Sequence, residues 1–226
     1  MHIFFSGIGG GALGPLALIA RQAGHEVSGS DKQDSSYITA LRTQGVEPYI
    51  GQTEAAIADL HARKPIDWLV YSSAIPREQP DHPELAFVQK AGIHHSKRDE
   101  LLNKIIEESG QQLLAVAGTH GKSTATAMVI WLFRQLGVPA SYSVGAKIPF
   151  GPMGNFDPEA RYFIYECDEF DRNFLAFHPA RSIISGIGWD HHEIFPTQEA
   201  YNQAFRDFIA QSQQTILWDR DARMLQ

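Results

Sequence analysis

The sequence predicts an α/β protein made of two consecutive domains, each built around a parallel sheet. Short apolar strands alternate with helical segments along the whole chain, which is the pattern of parallel sheets with crossover helices. Glycine-rich loops follow two of these strands, one near the N-terminus and one near the middle. The length of 226 residues accommodates one large domain or two of about a hundred residues each.

The first glycine-rich loop belongs to a βαβ unit at the N-terminus. A short apolar strand, His2–Phe5, is followed by the loop, a helix and a second strand, His25–Gly29. Residues 9–14 fit the G-x-G-x-x-G pattern, and Asp31 lies near the spacing of an acid that binds a ribose. These features predict a Rossmann-like parallel-sheet domain. Because the same loop cradles any diphosphate at a helix N-terminus, a dinucleotide, another diphosphate ligand and a purely structural loop stay open.

The rest of this domain repeats the alternation of strands and helices. The pair Ser72-Ser73 follows the buried strand Trp68–Tyr71, at a strand end where open α/β sheets bind ligands, although serine is also a common loop residue. The polar segment Glu107–Gly110 marks the predicted boundary between domains at 1–108 and 109–226. The predicted elements up to that boundary include helices at 38–44, 54–60, 84–91 and 98–108 and strands at 48–50, 68–71 and 93–95.

The second glycine-rich loop is Gly118-Thr119-His120-Gly121-Lys122-Ser123. It follows the apolar strand Leu113–Val116 and precedes a predicted helix over 122–136. In such a loop backbone N–H groups turn inward, a lysine reaches the β- and γ-phosphates of a nucleotide, and the next hydroxyl is free to ligate Mg²⁺. The longer pattern would need glycine at Val116, so the match is to the shorter form. The sequence predicts a P-loop α/β domain; a glycine-rich turn that binds nothing is the alternative.

An acidic cluster supplies the other side of such a site. The apolar strand Tyr162–Glu166 ends in a carboxylate, and three more acids follow by position 171. A phosphate loop needs a carboxylate on a nearby strand to hold Mg²⁺ or its water shell. Glu166, at the strand terminus, is the best candidate. A solvated acidic turn is the simpler alternative.

His191 is the best-placed histidine, since it follows a predicted strand at 182–185, although a lone histidine is more often structural. The single cysteine, Cys167, and the lack of an H-E-x-x-H helix leave no convincing zinc site. Cys167 is expected to be inert packing. The other predicted elements are strands at 142–144 and 215–218, a helix at 198–211 and a Gly/Pro-rich loop at 145–158.

Composition restricts the classes of function. The net charge of −7 and the pI of about 5.8 give no support to nucleic acid or an anionic membrane as a partner. No apolar run approaches the roughly 20 residues of a membrane span, and the N-terminus lacks a signal-peptide pattern. One cysteine excludes an internal disulfide and fits a reducing cytoplasm. We therefore expect a cytoplasmic protein, monomeric or weakly homodimeric.

Taken together, the motifs resemble those of the ATP-dependent Mur ligases of peptidoglycan synthesis. The resemblance extends over essentially all 226 residues and is more specific than any single motif. The histidine in the phosphate loop, the opening Gly-Ile-Gly-Gly and the Glu-x-Asp-Glu cluster point to the branch that takes UDP-N-acetylmuramic acid. The motifs are Gly7-Ile8-Gly9-Gly10 with Gly29-Ser30-Asp31, Gly118-Thr119-His120-Gly121-Lys122-Ser123, and Glu166-Cys167-Asp168-Glu169-Phe170-Asp171 with Asp190-His191.

The resemblance implies a reaction that needs ATP and Mg²⁺, in which a substrate carboxylate is phosphorylated and an amine attacks the acyl phosphate. By matched position, the implied catalytic residues are Lys122, Glu166 and His191. The implied ATP site consists of Gly118, Thr119, His120, Gly121, Lys122, Ser123 and Thr124. The implied UDP-sugar site consists of Gly9, Gly10, Gly11, Asp31, Ser72, Ser73 and His120. The implied metal ligands are Ser123 and Glu166 for one Mg²⁺ and His191 for a second.

Two ligases of that branch fit the motifs, one that adds L-alanine and one that attaches a murein tripeptide. Segments 71–76 and 97–102 resemble the L-alanine enzyme, whereas segments 169–171 and 190–195 lean toward the tripeptide enzyme. We favour L-alanine. The rival hypotheses are a non-catalytic nucleotide-sugar-binding module and an NAD-dependent oxidoreductase, which would have no use for Gly121-Lys122-Ser123.

Two departures from the family pattern bear on activity. Many Mur ligases carry a carbamylated lysine beyond the Asp-His motif, and no lysine follows Lys147 here; the L-alanine branch is expected to lack it too. The family also has a third, C-terminal domain and a longer central domain with an adenine-binding part. From the length we expect a fragment or a reduced protein that binds UDP-sugar, binds ATP weakly at best and has no ligase activity by itself.

Overall fold

The structure, a computed structural model, describes residues 1–226 and falls into two compact units. The first comprises Met1–Ile105 with Gly154–Phe156, and the second comprises Ile106–Met153 with Asp157–Gln226. Each unit has its own sheet and its own helices, so the predicted α/β class is confirmed. No helix combines the length and the apolar character that crossing a bilayer would need.

A five-stranded parallel sheet organises the first unit. Its strands are β1 (His2–Ser6), β2 (Glu26–Asp31), β3 (Tyr49–Ile50), β4 (Trp68–Tyr71) and β5 (His94–Lys97). The helices are α1 (Leu13–Gln22), α2 (Ser36–Thr43), α3 (Glu54–Arg63), α4 (Ile75–Glu78), α5 (Pro83–Ala91) and α6 (Arg98–Ser109), the last of which continues past Ile105. The strand order is β3-β2-β1-β4-β5, and each neighbouring pair is parallel. The order reverses between β1 and β4, which is where such sheets bind ligands.

Local sequence explains the predicted elements of this unit. Strand β1 is buried along its whole length, as its apolar residues predict. Helices α2 and α3 begin at hydroxyl caps, because the N–H of Ile38 donates to Ser35 Oγ and that of Ala56 donates to Thr53 Oγ1, each at 3.3 Å. The caps satisfy backbone donors that would otherwise lack partners, and they explain where these helices start.

A second sheet organises the second unit. Its strands are β6 (Gln112–Ala117), β7 (Ala140–Ser143), β9 (Tyr162–Glu166), β10 (Arg181–Ile184) and β11 (Thr215–Ile216), together with β8 (Gly154–Asn155), whose residues are grouped with the first unit. The helices are α7 (Lys122–Gln135), α8 (Gln198–Gln211), α9 (Asp219–Met224) and a 3-10 helix at Phe170–Ala176. The order is β11-β10-β6-β9-β7-β8, and the pairs from β11 to β7 are parallel. The segments that follow β6, β9 and β10 therefore meet at one edge of the sheet.

Aromatic packing holds the 3-10 helix against α8. The ring of Phe174 stacks on Phe208 with centroids 4.7 Å apart and meets Phe205 edge-on at 5.2 Å. All three side chains are fully buried. This packing fixes the segment that follows β9, where the acidic cluster lies. The predicted burial of Cys167 in this segment is confirmed.

Three short helices are absent from the sequence-based prediction: α4, α9 and the 3-10 helix. They span four, six and seven residues, too few for helical periodicity to separate a helix from a loop. The strand predicted over 215–218 ends at Ile216, and Trp218 precedes α9 as its N-cap residue. The prediction of a loose segment at Glu107–Gly110 is wrong locally, because α6 continues to Ser109.

Candidate phosphate site and nucleotide cavity

The glycine-rich phosphate loop joins the end of β6 to the start of α7. Gly118 has a φ of +130°, a conformation that favours glycine. A Cβ at this position would lie 2.4 Å from Ser185 Oγ and 2.9 Å from the Gly186 carbonyl oxygen. The N–H of Thr119 donates to the same carbonyl at 2.8 Å. The loop therefore packs against the segment after β10 with no room for a side chain at Gly118.

Lys122 is the first residue of α7, and its ammonium group is enclosed by the loop. Its Nζ donates to the carbonyl oxygens of Gly118 at 2.7 Å and Thr119 at 3.2 Å. It also forms an ion pair with Glu169 Oε2 at 2.8 Å. An ammonium group has three donors, so each has a partner inside the protein. The side chain is 15% exposed, which leaves it little contact with water.

Glu169 is the fully buried carboxylate that faces this lysine. Its Oε1 lies 3.4 Å from the hydroxyl of Tyr201 and 3.5 Å from His191 Nε2. Burial raises the pKa of Glu169, and the hydrogen bond and charge of Lys122 oppose that rise. No sequence pattern distinguishes Glu169 from its acidic neighbours, and its only signal is its place in the acidic cluster.

Tyr201 connects Glu169 to the phosphate loop from α8. Its hydroxyl is 2.7 Å from Thr119 Oγ1, and its ring is fully buried. Thr119 Oγ1 also lies 2.8 Å from both the N–H and the carbonyl oxygen of Gly188. Burial raises the pKa of the Tyr201 phenol, so its hydroxyl keeps its proton. Nothing in the sequence pattern of α8 distinguished this tyrosine from a core residue.

The two ligands implied for the first Mg²⁺, Ser123 and Glu166, lie side by side. Val116 in β6 pairs with Glu166 in β9, which brings the end of β9 next to the phosphate loop. The Ser123 hydroxyl donates to Glu166 Oε1 at 2.7 Å, and the Gly145 N–H donates to Oε2 at 2.7 Å. A hydroxyl and a carboxylate are oxygen ligands of the kind that Mg²⁺ prefers. The pair therefore fits a magnesium ion that takes its other ligands from phosphate and water.

No group of three or more His, Cys, Asp or Glu side chains is arranged to hold a metal by itself. This agrees with the usual way Mg²⁺ is bound, through one or two carboxylates plus substrate phosphates. His191, implied for the second Mg²⁺, contacts Glu169 instead of Glu166. Its φ of +53° is unusual for a residue with a side chain, and its ring meets that of Phe170 edge-on at 5.0 Å.

A cavity of about 610 Å³ lies in the first unit, beside the ends of β1 and β4 where the strand order reverses. Its lining includes four residues of the implied UDP-sugar site, namely Gly9, Gly10, Asp31 and Ser72. Gly11 and Ser73 do not line the cavity, and His120 belongs to the phosphate loop of the second unit. Further lining residues are Gly7, Lys32, Gln33, Ser35, Gly51, Gln52, Ala74, Ile75, Glu78, Gln79 and His82.

Asp31 and the first glycine-rich loop are in direct contact. The N–H of Gly9 donates to Asp31 Oδ2 at 2.9 Å. A Cβ on Gly9 would lie 2.9 Å from this oxygen and from Cγ1 of Ile38, so glycine is what allows the approach. The contact places the carboxylate at the wall of the cavity.

A second buried carboxylate, Glu84, joins the ends of three strands. It accepts hydrogen bonds from Ser6 at 2.5 Å, Ser30 at 2.9 Å and Tyr49 at 2.8 Å, on β1, β2 and β3 respectively. Gln52, which lines the cavity, donates to Ser6 Oγ at 3.2 Å. Burial raises the pKa of Glu84, and its hydrogen bonds oppose that rise. No sequence pattern marks Glu84 as a site residue, because an acid in the first turn of a helix is ordinary.

Residues 2–109 match the family described as "Mur ligase family, catalytic domain". A UDP-N-acetylmuramate–L-alanine ligase of Roseiflexus castenholzii is 35% identical over 212 residues, which cover 93% of this chain and 42% of that protein. One of Frankia casuarinae is 35% identical over 207 residues, which cover 92% of this chain and 40% of that protein. The chain belongs to the Mur ligase family.

The chain spans less than half the length of these curated relatives. The family match ends before the phosphate loop, but alignments of 207 and 212 residues extend across it.

Solved structures of two ligases share the fold. The crystal structure of a UDP-N-acetylmuramate-alanine ligase from Thermotoga maritima has a TM-score of 0.85 and 24% identity, and the match covers 100% of this chain and 51% of that one. The UDP-N-acetylmuramate:L-alanyl-gamma-D-glutamyl-meso-diaminopimelate ligase from Neisseria meningitides also has a TM-score of 0.85 and 24% identity, covering 99% of this chain and 74% of that one. The expected Mur ligase fold, a Rossmann-like domain followed by P-loop α/β structure, is confirmed.

Proposed function

We propose that this chain contains the substrate-binding and ATP-binding parts of a peptidoglycan ligase. The ligase forms an amide bond between the lactyl carboxylate of UDP-N-acetylmuramic acid and L-alanine. The observation that carries the proposal is the end of β6, where a phosphate loop presents Lys122 and lies beside the Ser123–Glu166 pair. The curated relatives named for L-alanine favour that amine.

Residues 1–108 are the proposed UDP-sugar domain. Gly9, Gly10 and Gly11 face the diphosphate, because the loop precedes α1 and the N-terminal end of a helix attracts anions. Asp31, Ser72 and Ser73 lie near the uridine. The cavity at the strand-order reversal supports this assignment through Gly9, Gly10, Asp31 and Ser72. The role of His120 at the UDP-sugar stays a prediction from the resemblance.

Residues 109–226 are the proposed ATP domain, in which Gly118–Thr124 bind the nucleotide phosphates. Lys122 stabilises the charge on the γ-phosphoryl group while that group passes from ATP to the substrate carboxylate and ADP leaves. The amine of L-alanine then attacks the acyl phosphate and releases phosphate. Ser123 and Glu166 would hold one Mg²⁺ and His191 a second, and these ions would neutralise charge on the phosphates. Such chemistry depends on positioning and charge stabilisation, so no protein nucleophile is needed.

A murein tripeptide is the second candidate for the incoming amine. Segments 169–171 and 190–195 carry the features that favour it, and a ligase named for that tripeptide shares the fold. An assay of phosphate release on a full-length form, since the 226-residue chain is expected to be inactive by itself, decides between the two amines, with ATP, Mg²⁺, UDP-N-acetylmuramic acid and either L-alanine or the tripeptide. Faster release with L-alanine is the expected result. Release with neither amine would favour the non-catalytic binding module.

Isothermal titration tests the substrate of the first domain. We expect the chain to bind UDP-N-acetylmuramic acid, to lose affinity in Asp31→Asn, and to keep it in the matched control Asp59→Asn on the exposed face of α3. Binding of NADH without binding of the UDP-sugar would refute the ligase hypothesis and support the oxidoreductase. Sedimentation of the same sample checks the proposed monomer or weak homodimer.

A further inference from the structure

The phosphate-loop lysine has no N–H group to spare for a ligand. Lys122 Nζ donates to the carbonyl oxygens of Gly118 and Thr119 and to the carboxylate of Glu169, at 2.7, 3.2 and 2.8 Å. An ammonium group has three donors. A nucleotide phosphate can therefore bind Lys122 only if the lysine gives up one of these three partners.

Of the three partners, the carboxylate resembles a phosphate most closely. It is an anion, so it neutralises the lysine charge that would attract the phosphate. It is also fully buried, so little water screens it from that charge. As long as Lys122 is paired with Glu169, the loop offers the phosphate a neutral pair instead of a free cation.

Glu169 has two other polar neighbours, of which the Tyr201 hydroxyl stays available when the lysine leaves and His191 is assigned to a metal. The Tyr201 hydroxyl is 3.4 Å and His191 Nε2 is 3.5 Å from Oε1. Both distances are at or just beyond the limit of a hydrogen bond, so a modest movement would strengthen the contact with Tyr201. The released carboxylate would therefore not remain buried without a partner.

The carboxylate is held more firmly than the lysine. Asp171 and Arg172 have φ values of +55° and +58°, which turn the chain sharply after Glu169. Phe174 then fixes the segment by packing on α8. Lys122, by contrast, is a flexible four-carbon side chain at the start of a helix. The lysine is therefore the partner that moves.

We propose that Glu169 is a positioning residue that occupies Lys122 in the resting loop and exchanges it for the incoming nucleotide phosphate. The Tyr201 hydroxyl retains the carboxylate after the exchange, since His191 is assigned to the second Mg²⁺. This inference rests on the proposed function, since it assumes that Lys122 binds a nucleotide phosphate. In this proposal the Glu169 carboxylate is an internal anion that competes with the nucleotide phosphate for Lys122.

Titration calorimetry with AMP-PNP and Mg²⁺ on the 226-residue chain tests the exchange. Glu169→Gln removes the competing charge and should lower the dissociation constant about tenfold, because a buried charge near the phosphate is removed. A substitution that only damaged the structure would weaken binding instead. Asp168→Asn is the matched control. It removes the same charge one residue away, is not among the three acceptors of Lys122 and should change affinity by less than about threefold.

Tyr201→Phe provides an independent test with the opposite sign. Loss of the hydroxyl makes release of Glu169 from Lys122 less favourable, so AMP-PNP should bind about threefold more weakly or worse. If Glu169→Gln fails to fold, this variant decides: unchanged or tighter binding overturns the proposal. Weaker binding supports it.

The outcomes separate this inference from the proposed function. If the wild-type chain binds AMP-PNP and Glu169→Gln binds it equally or more weakly, the exchange is wrong and the phosphate site stands. If neither protein binds AMP-PNP, the proposed ATP site fails and the exchange fails with it. If only Glu169→Gln binds, the internal anion is supported most strongly.

Discussion

Each of the two units buries one carboxylate next to a glycine-rich loop, and the two carboxylates have opposite kinds of partner. Glu84 in the first unit accepts hydrogen bonds from the neutral hydroxyls of Ser6, Ser30 and Tyr49. Glu169 in the second unit is paired with the cation Lys122. Both side chains are fully buried, so the difference lies in their partners and not in their exposure.

The difference in partners teaches what each carboxylate can do. Three hydroxyls from three strands hold Glu84 from different directions, and none of them is an expected ligand of phosphate. Glu84 therefore joins strand ends and supports the cavity wall. Glu169 shares its cation with the site that a nucleotide phosphate would occupy, so its bond is exchangeable. Burial alone does not distinguish Glu84, which joins strand ends, from Glu169, which is paired with the phosphate-loop lysine.

The largest expected effect comes from removing the cation. Lys122→Ala should lower the free energy of unfolding of the second unit by about 3 kcal/mol, because it leaves Glu169 buried without its charged partner. It should also abolish AMP-PNP binding. Chemical denaturation and calorimetry measure the two effects, with the exposed Lys90→Ala on α5 as control. If Lys122→Ala were as stable as Lys90→Ala, the ion pair would not hold the loop together.

A side chain at Gly118 tests whether the loop needs its close contact with the segment after β10. Gly118→Ala should cost about 2–3 kcal/mol, because its Cβ meets Ser185 and Gly186 and the φ of +130° is unfavourable for alanine. Gly188→Ala is the matched control, since a Cβ there meets nothing within 4 Å. Thermal unfolding measures both, and equal losses would contradict the contact.

Removal of the hydrogen bonds between Glu84 and its three hydroxyl partners should have a somewhat smaller effect on stability. Glu84→Ala leaves three hydroxyls without their acceptor and should lower the free energy of unfolding of the first unit by about 2 kcal/mol. It should also weaken binding of UDP-N-acetylmuramic acid through the cavity wall. Glu54→Ala, an exposed acid in the first turn of α3, is the control. A loss of stability without a loss of affinity would show that the network does not shape the cavity.

The smallest expected effect is a dependence of stability on pH. Burial raises the pKa of folded Glu84 above its usual value of 4.5, so the folded state binds more protons than the unfolded state between the two values. Stability should therefore fall as the pH rises from about 4.5 through the folded pKa, by at most about 1.4 kcal/mol per unit of pKa shift. Comparison with Glu84→Gln isolates this slope from that of Glu169. An identical slope in both proteins would show that Glu84 does not contribute.

The proximity of Ser123 and Glu166 was predictable from sequence. Glu166 ends an apolar strand, Ser123 follows a glycine-rich loop, and adjacent parallel strands end at the same edge of a sheet. The observed pairing of Val116 with Glu166 brings the two side chains together. The role of Glu169 was not predictable from sequence. The path of the chain after Glu169 depends on the left-handed residues Asp171 and Arg172. Positive φ at residues other than glycine has no dependable sequence signal.

The sequence by itself determined the alternation of strands and helices and the position of both glycine-rich loops, because periodicity and glycine spacing act over a few neighbouring residues. It could not determine which acid meets Lys122. That lysine and Glu169 are 47 positions apart, and Tyr201 lies a further 32 beyond Glu169. Their meeting depends on strand order, register and the packing of α8, which are properties of the folded chain. Tertiary structure therefore decided that the phosphate-loop lysine is paired with a buried anion.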